Sequence, residues 1–169
     1  MLTDGKYFRL TAKILDLGYA YLSSFSLPKI AERFLEDVTL ETKESSSASV
    51  LDGHEIVYVA HVQTRRIMSV SLGIGSRLPA FCTSMGRALL AHLPPEELEK
   101  YFRTAKFQRF TEKTICDPLT LRKELSNVFK QGYAKVDQEL ELGANFAYAF
   151  SCKESGQEGR GESGGYGIQ

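Results

Sequence analysis

Along this chain the spacing of apolar positions changes period twice. After an Asp4-Gly5 turn signal, Lys6-Tyr7-Phe8-Arg9-Leu10 reads as a short strand. From Thr11 to about Ser23 the period is helical, with Thr11 as the cap and Ile14, Leu15, Gly18, Tyr21 and Leu22 on one face. Ser26 predicts the cap of a second helix that tolerates Pro28 in its first turn. Ile30, Ala31, Phe34, Leu35 and Val38 predict its buried stripe. The period then drops to two. Residues 47–51 and 56–62 flank an Asp52-Gly53 turn and predict a β-hairpin, and the β-branched and aromatic second arm suits a largely buried strand. Residues 66–72 predict a third strand and residues 73–79 a loop. Helical spacing returns at Thr83 or Ser84 and runs through Leu89, Leu90 and His92. Another helix starts at Pro94-Pro95 and carries Leu98, Tyr101 and Phe102. A longer one is capped by Asp117 with Pro118 at its first position, carries Leu121, Leu125, Val128 and Phe129 on one face, and ends at Gly132. Residues 133–136 read as a last strand. The order αα-βββ-ααα-β predicts an α+β fold, an antiparallel sheet with helices packed on it.

Composition narrows the function classes. A length of 169 residues suits one domain with a real core. Twenty-one basic residues balance 21 acidic ones, so the electrostatic footprint of a self-sufficient nucleic-acid binder is missing. No apolar run approaches the roughly 20 residues of a membrane span. Residues 1–6 lack the basic-then-apolar order of a secretory signal. The three cysteines, Cys82, Cys116 and Cys152, lie far apart with no CxxC pair, which predicts neither a zinc site nor a disulfide framework. A reducing, cytoplasmic setting without membrane contact follows as the expectation. No His/Asp/Glu cluster has metal spacing, and Gly73-Ile74-Gly75 is only a fragment of a phosphate-binding glycine pattern, so no metal and no cofactor is expected.

The end of the chain has a different character. Six of its 14 glycines fall in residues 153–169, which hold almost nothing apolar to bury. Such a segment cannot offset its ordering entropy, and a disordered tail over 153–169 is the expectation.

The segment from Leu78 to Leu90 carries the one candidate binding chemistry. A loop enters a helix whose first turn, Thr83-Ser84-Met85-Gly86, is small and largely polar. The first N–H groups of a helix lack internal partners and sit at the positive end of its dipole, so this turn suits a carboxylate, and Gly86 leaves room for close approach. Thr83 acting only as a cap explains the same residues, since every helix has an N-terminus. Cys82 just before the helix raises the alternative of an activated thiol, but His54, His61 and His92 are scattered and a buried inert cysteine is the commoner case. His61, in an apolar strand, reads as packed and hydrogen-bonded. In the Thr64-Arg65-Arg66 segment one arginine could pair with an acidic ligand, with a solvated turn as the reading for Arg65, and the acidic stretch 137–141 reads as a solvated loop.

Several segments resemble one family. Residues 5–11 followed by Ile14-Leu15-Asp16-Leu17-Gly18-Tyr19-Ala20-Tyr21-Leu22-Ser23-Ser24 are similar to the wing-to-linker passage of IclR-type bacterial transcriptional regulators. Leu51-Asp52-Gly53, Ile56-Val57-Tyr58-Val59-Ala60, Gly75-Ser76-Arg77-Leu78-Pro79-Ala80, Cys82 to Ala91, Gln131-Gly132-Tyr133-Ala134 and Asp137 to Gly143 resemble the effector-binding domain of that family. Residues 19–24 and 65–70 look most like its aromatic-acid branch, the protocatechuate and β-ketoadipate pathway regulators. The resemblance implies a GAF-like domain that binds a small organic acid, preceded by a DNA-binding winged helix-turn-helix and a linker helix in the intact protein, with dimers or tetramers as the working form. It implies backbone contacts to the effector carboxylate at Ser84 and Met85 beside Thr83, apolar walls at Ile67 and Val70, and a further contact at Val136. It further implies a regulator of aromatic-acid catabolism rather than an enzyme. A ligand-sensing or oligomerisation module without DNA binding is the alternative.

The expected organisation is a wing remnant over 1–10, a linker helix over 11–25, an effector-binding domain over 26–152 and the tail. The chain starts inside the wing, so no helix-turn-helix is expected, and Lys6 and Arg9 are the remaining candidates for phosphate contact. After Gly143 the sequence departs abruptly from the family pattern, as a shifted reading frame would produce. That departure predicts the loss of two closing strands, an incomplete effector domain with an exposed sheet edge, and a tendency to associate with copies of itself or with a full-length regulator.

Overall fold

The structure, a computed structural model, describes residues 2–3, 7–24, 27–63, 73–142, 147–153 and 165–168. Two short strands, β1 (Leu2–Thr3) and β2 (Phe8–Arg9), pair antiparallel at the start of the chain. Helix α1 (Ile14–Ser24) begins where the Thr11 carbonyl accepts the N–H of Ile14 at 3.1 Å. Helix α2 spans Leu27–Thr42, with Pro28 in its first turn where no internal N–H is needed.

Among the described residues six strands form the main sheet. They are β3 (Ser46–Asp52), β4 (Glu55–Val62), β5 (Arg77–Pro79), β6 (Ala134–Val136), β7 (Ala147–Lys153) and β8 (Gly165–Ile168). Their order across the sheet is β5-β4-β3-β8-β7-β6, every pair antiparallel. The β3–β4 hairpin turns at Asp52-Gly53, where Gly53 takes φ +61° at no steric cost. A bulge between Ala48 and Ser49 shifts the register, so Ser49 faces Tyr58 while Ala48 faces Ala60.

Helices cover the two faces of the sheet separately. Helix α2 packs on one face, where Ala31 and Leu35 meet Ala48, Val59 and Ala60. The other face carries the larger cluster, built from Ile56 and Tyr58 of the sheet and from the helices that follow β5. These are α3 (Ser84–Leu90), α4 (Pro95–Thr104) and α5 (Pro118–Gln131), with a 3₁₀ turn at Ala80–Cys82 leading into α3. Helix α3 lies against β3, β4, β6, β7 and β8 and is itself buried along its whole length. Asp117 caps α5 by accepting the Thr120 N–H at 2.7 Å, and Gly132 ends it in the left-handed region at φ 83°. The α+β fold predicted from the sequence is the fold observed.

Four expectations change. Residues 73–79 are not all loop, because Arg77–Pro79 pairs with β4. The stripe of α2 is Ala31, Leu35 and Thr39, whereas Phe34 and Val38 are 61% and 42% exposed. Burial follows the neighbouring face because the sheet, not the helix's own hydrophobicity, decides which side is covered. On α5, Leu121, Leu125 and Val128 are buried while Phe129 points out. The tail expected to be disordered over 153–169 contains the end of β7 at Lys153 and all of β8, and β8 sits between β3 and β7 rather than leaving an edge there. Ladder hydrogen bonds are made by backbone, so a stretch as glycine-rich as Gly165-Tyr166-Gly167-Ile168 still pairs as a strand between two neighbours. The predicted strand over 66–72 and the cap at Ser26 lie outside the described residues.

Candidate functional site

The first turn of α3 is built from the 3₁₀ turn outward. Thr83 is extended (φ −117°, ψ 148°) and caps the helix, its hydroxyl accepting the Gly86 N–H at 3.2 Å and donating to the Pro79 carbonyl at 3.1 Å. Its carbonyl accepts the Arg87 N–H at 3.0 Å, so the helix ladder starts here. Ser84 and Met85 are 2% and 1% exposed. Among the described residues no hydrogen bond is made to their two N–H groups, the orphan donors of a helix start.

Gly86 serves the fold rather than a ligand. A Cβ placed there would run into the backbone of Ala80, so the room expected for a bound acid is filled by the chain's own 3₁₀ turn. Glycine is required because two backbone segments touch.

Arg87, on the next turn, is the largest fully buried side chain among the described residues. Its Nε donates to the Phe81 carbonyl at 2.8 Å and its Nη2 to Glu139 Oε2 at 2.6 Å, with side chains 1% and 8% exposed. The same carboxylate oxygen accepts the Ile115 N–H at 3.0 Å. Gln138, at φ 57°, turns the chain before Glu139, and the hydroxyls of Thr111 and Thr114 donate to the carbonyls of Gln138 and Glu139 at 2.7 and 2.6 Å. This network joins α3, the 111–115 loop and the segment after β6. The acidic stretch 137–141 is therefore not a solvated loop throughout, since Glu139 is buried and paired while Asp137 meets Lys113 at 2.6 Å nearer the surface. The Lys113 ammonium holds the Asp137 carboxyl below the usual carboxylate range.

Cys82 is no activated thiol. It is fully buried, and burial pushes its thiol up to about 12, outweighing the opposing pull of Arg87. The histidines are engaged elsewhere. His61 shares a 2.8 Å hydrogen bond through Nδ1 with Ser47 Oγ, His54 Nε2 lies 2.8 Å from Thr104 Oγ1, and His92 Nδ1 donates to the Ala88 carbonyl at 2.8 Å. No group of three or more His, Cys, Asp or Glu among the described residues is placed to hold a metal.

The predicted site residues are thus partly assembled. Thr83, Ser84 and Met85 form the start of α3, and Val136, 7% exposed, lies on β6, against which α3 packs. Ile67 and Val70, with Arg65, lie outside the described residues, as does Lys6; Arg9 falls in β2. Sequence reasoning missed the polar row under α3 on the sheet, Ser47, Ser49, Tyr58 and His61, because strand alternation reveals a face only once the bulge at 48–49 is known. It also missed the Arg87–Glu139 pair, whose members are 52 positions apart.

An α3-covered antiparallel sheet with helices on both faces matches one family in sequence and shape. Residues 19–150 match the family described as the bacterial transcriptional regulator IclR C-terminal domain. The chain belongs to the IclR family of transcriptional regulators. It is 41% identical over 142 residues to the Pca regulon regulatory protein of Pseudomonas putida, a match covering 83% of this chain and 49% of that protein. The crystal structure of Thermotoga maritima IclR superposes with a TM-score of 0.81 at 25% identity, covering 98% of this chain and 66% of the other. The inducer-binding domain of the Acinetobacter transcription factor PobR, a double mutant in complex with 3-hydroxybenzoic acid, superposes with a TM-score of 0.71 at 31% identity, covering 86% and 83%. The chain spans about half the length of the curated relatives it matches, 49% and 57% of the first two. These relatives are named transcriptional regulators and not enzymes, which agrees with the buried Cys82 thiol. No helix among the described residues is long and apolar enough to cross a membrane.

Proposed function

We propose that this chain is the effector-sensing part of a cytoplasmic transcriptional regulator and binds a small aromatic or dicarboxylic acid, so as to control DNA binding by the intact protein and, through it, aromatic-acid catabolism. The observation that carries the reading is the pair of unpartnered N–H groups on Ser84 and Met85 in a chain similar to an inducer-binding domain complexed with 3-hydroxybenzoic acid. In this reading those donors take the carboxylate, with Thr83 holding the turn and Ile67, Val70 and Val136 forming apolar walls. Arg87 is not a contact for the acid, because Glu139 already neutralises it. Fixed backbone dipoles then supply the attraction, and they do so without the desolvation cost of a buried free cation.

Binding of the acid shifts the populations of the arrangements that the intact regulator presents to DNA. In this reading DNA contact is made by a winged helix-turn-helix of the intact regulator. A thermal melt with protocatechuate, 3- and 4-hydroxybenzoate, β-ketoadipate and pyruvate tests the reading. An acid present at 100 times its dissociation constant adds roughly 2.7 kcal/mol to the stability. A selective rise in Tm with one acid supports the proposal, and a cooperative melt that no acid moves refutes it.

A second reading, a self-associating sensor module, is favoured by one observation. Helix α1 leaves Leu15, Leu17 and Tyr19 70%, 69% and 76% exposed, more apolar surface than a solvated helix carries. The partner in this reading is a second copy of the chain or a full-length regulator.

A further inference from the structure

The buried hydroxyls of β3 differ in one respect. Ser46 donates to the Leu35 carbonyl at 2.8 Å and lies 2.6 Å from Thr39 Oγ1, on the α2 face. Ser47 is paired with His61. Ser49 is 0% exposed and its Oγ has no hydrogen-bond partner among the described residues. A buried hydroxyl without a partner costs stability, and native proteins rarely keep one without a use for it.

The surroundings of Ser49 point to that use. Leu51 and Tyr58, its neighbours on the same face, belong to the cluster around α3, while Ala48 and Val50 belong to the α2 side. Ser49 therefore faces the layer that contains the first turn of α3. In the register its partners are Tyr58 on β4 and Gly167 on β8, so the residue directly opposite it on β8 has no side chain. Burial pushes the Tyr58 phenol up to about 12, which keeps it a neutral hydrogen-bonding group beside the serine. Among the described residues the other unpaired buried hydroxyl is that of Tyr101, which is enclosed by the rings of His54, Phe102 and Phe107.

We infer that Ser49 is a specificity-determining residue whose hydroxyl meets a hydroxyl substituent on the bound acid, selecting hydroxylated acids over their unsubstituted counterparts. This rests on the acid-binding reading above. A group left unpaired in the free protein gains its hydrogen bond only when the right ligand arrives, and a ligand lacking the hydroxyl leaves it unpaired.

The test compares benzoate with 3- and 4-hydroxybenzoate by thermal shift and calorimetry on the full chain and on Ser49→Ala. The free variant is expected to melt at or above the wild-type temperature, since it loses a group that bonds nothing. The wild-type chain is expected to prefer one hydroxybenzoate over benzoate by roughly fivefold to tenfold, the worth of one buried hydrogen bond. That preference is expected to vanish in Ser49→Ala while the response to benzoate stays. A variant that keeps the full preference overturns the role of Ser49 and leaves the acid-binding reading standing. A wild-type chain that binds none of the three acids overturns both.

Discussion

At Gly86 two residue-scale effects compete. Replacing a helical glycine by alanine ordinarily gains about 0.5–1 kcal/mol. Here the new methyl meets the Ala80 backbone, which cannot swing aside as a flexible side chain does. Overpacking a fitted core costs about 1–3 kcal/mol, so Gly86→Ala is expected to destabilise, and urea unfolding measures it. A variant as stable as wild type would mean that the 3₁₀ turn and α3 do not touch as described. Cys82 gives a second residue-scale prediction. With its thiol pushed up to about 12, alkylation at pH 8 should mark the Cys82 peptide only after denaturation, as mass spectrometry of iodoacetamide-treated protein would reveal. The sign for stability follows. Between about 9 and 12 the unfolded thiol loses its proton while the folded one keeps it, so this residue's contribution falls as pH rises through that window.

Single elements are closed by short-range chemistry that the sequence states openly. The Asp117-Pro118 start and the Gly132 end of α5 were predicted from residue type alone and are observed with cap geometry. The Thr120 hydroxyl and N–H hold the Asp117 carboxyl below its ordinary value. A depressed carboxyl stabilises above its unfolded value near 3.8 and loses that contribution as pH falls through the folded one. Asp117→Ala is therefore expected to lower Tm at pH 7, with the difference from wild type shrinking as pH falls towards 2. A gap that stays constant with pH would show the cap to be uncharged in its effect. Helix α2 marks where element-level reading stops. Its apolar residues at 30, 31, 34, 35 and 38 cover more of the helix than the sheet can bury, and periodicity alone does not tell which flank stays in water.

At the scale of the whole molecule, the apolar residues left on the outside of α1 and α2 matter most. Leu15, Leu17, Tyr19 and Phe34 are all more than half exposed. Sedimentation velocity is expected to find mass rising with protein concentration, and the double variant Leu15→Glu/Leu17→Glu is expected to remove that rise without lowering the melting temperature. A chain that sediments as a monomer at every concentration would remove the self-association reading. The Arg87–Glu139 network works at the same scale, tying α3 to two loops that the sequence read as separate. A buried pair of this kind gains little net energy over apolar packing, but removing one partner strands a charge and costs about 3–5 kcal/mol.

The sequence by itself determined the class of fold, the caps of α3 and α5, the β3–β4 hairpin and the family, because each rests on residues close together in the chain or on a string of motifs in order. It offered the start of α3 only as a candidate for holding an acid, since unpaired N–H groups belong to every helix start. The tertiary structure alone decided that Gly86 answers to Ala80, that Glu139 turns inward to Arg87, that the tail returns as β8 between β3 and β7, and that Ser49 lies buried without a partner among the described residues. Each of those depends on which distant segment arrives at a given face, and contact between distant segments is set by packing and register rather than by local preference.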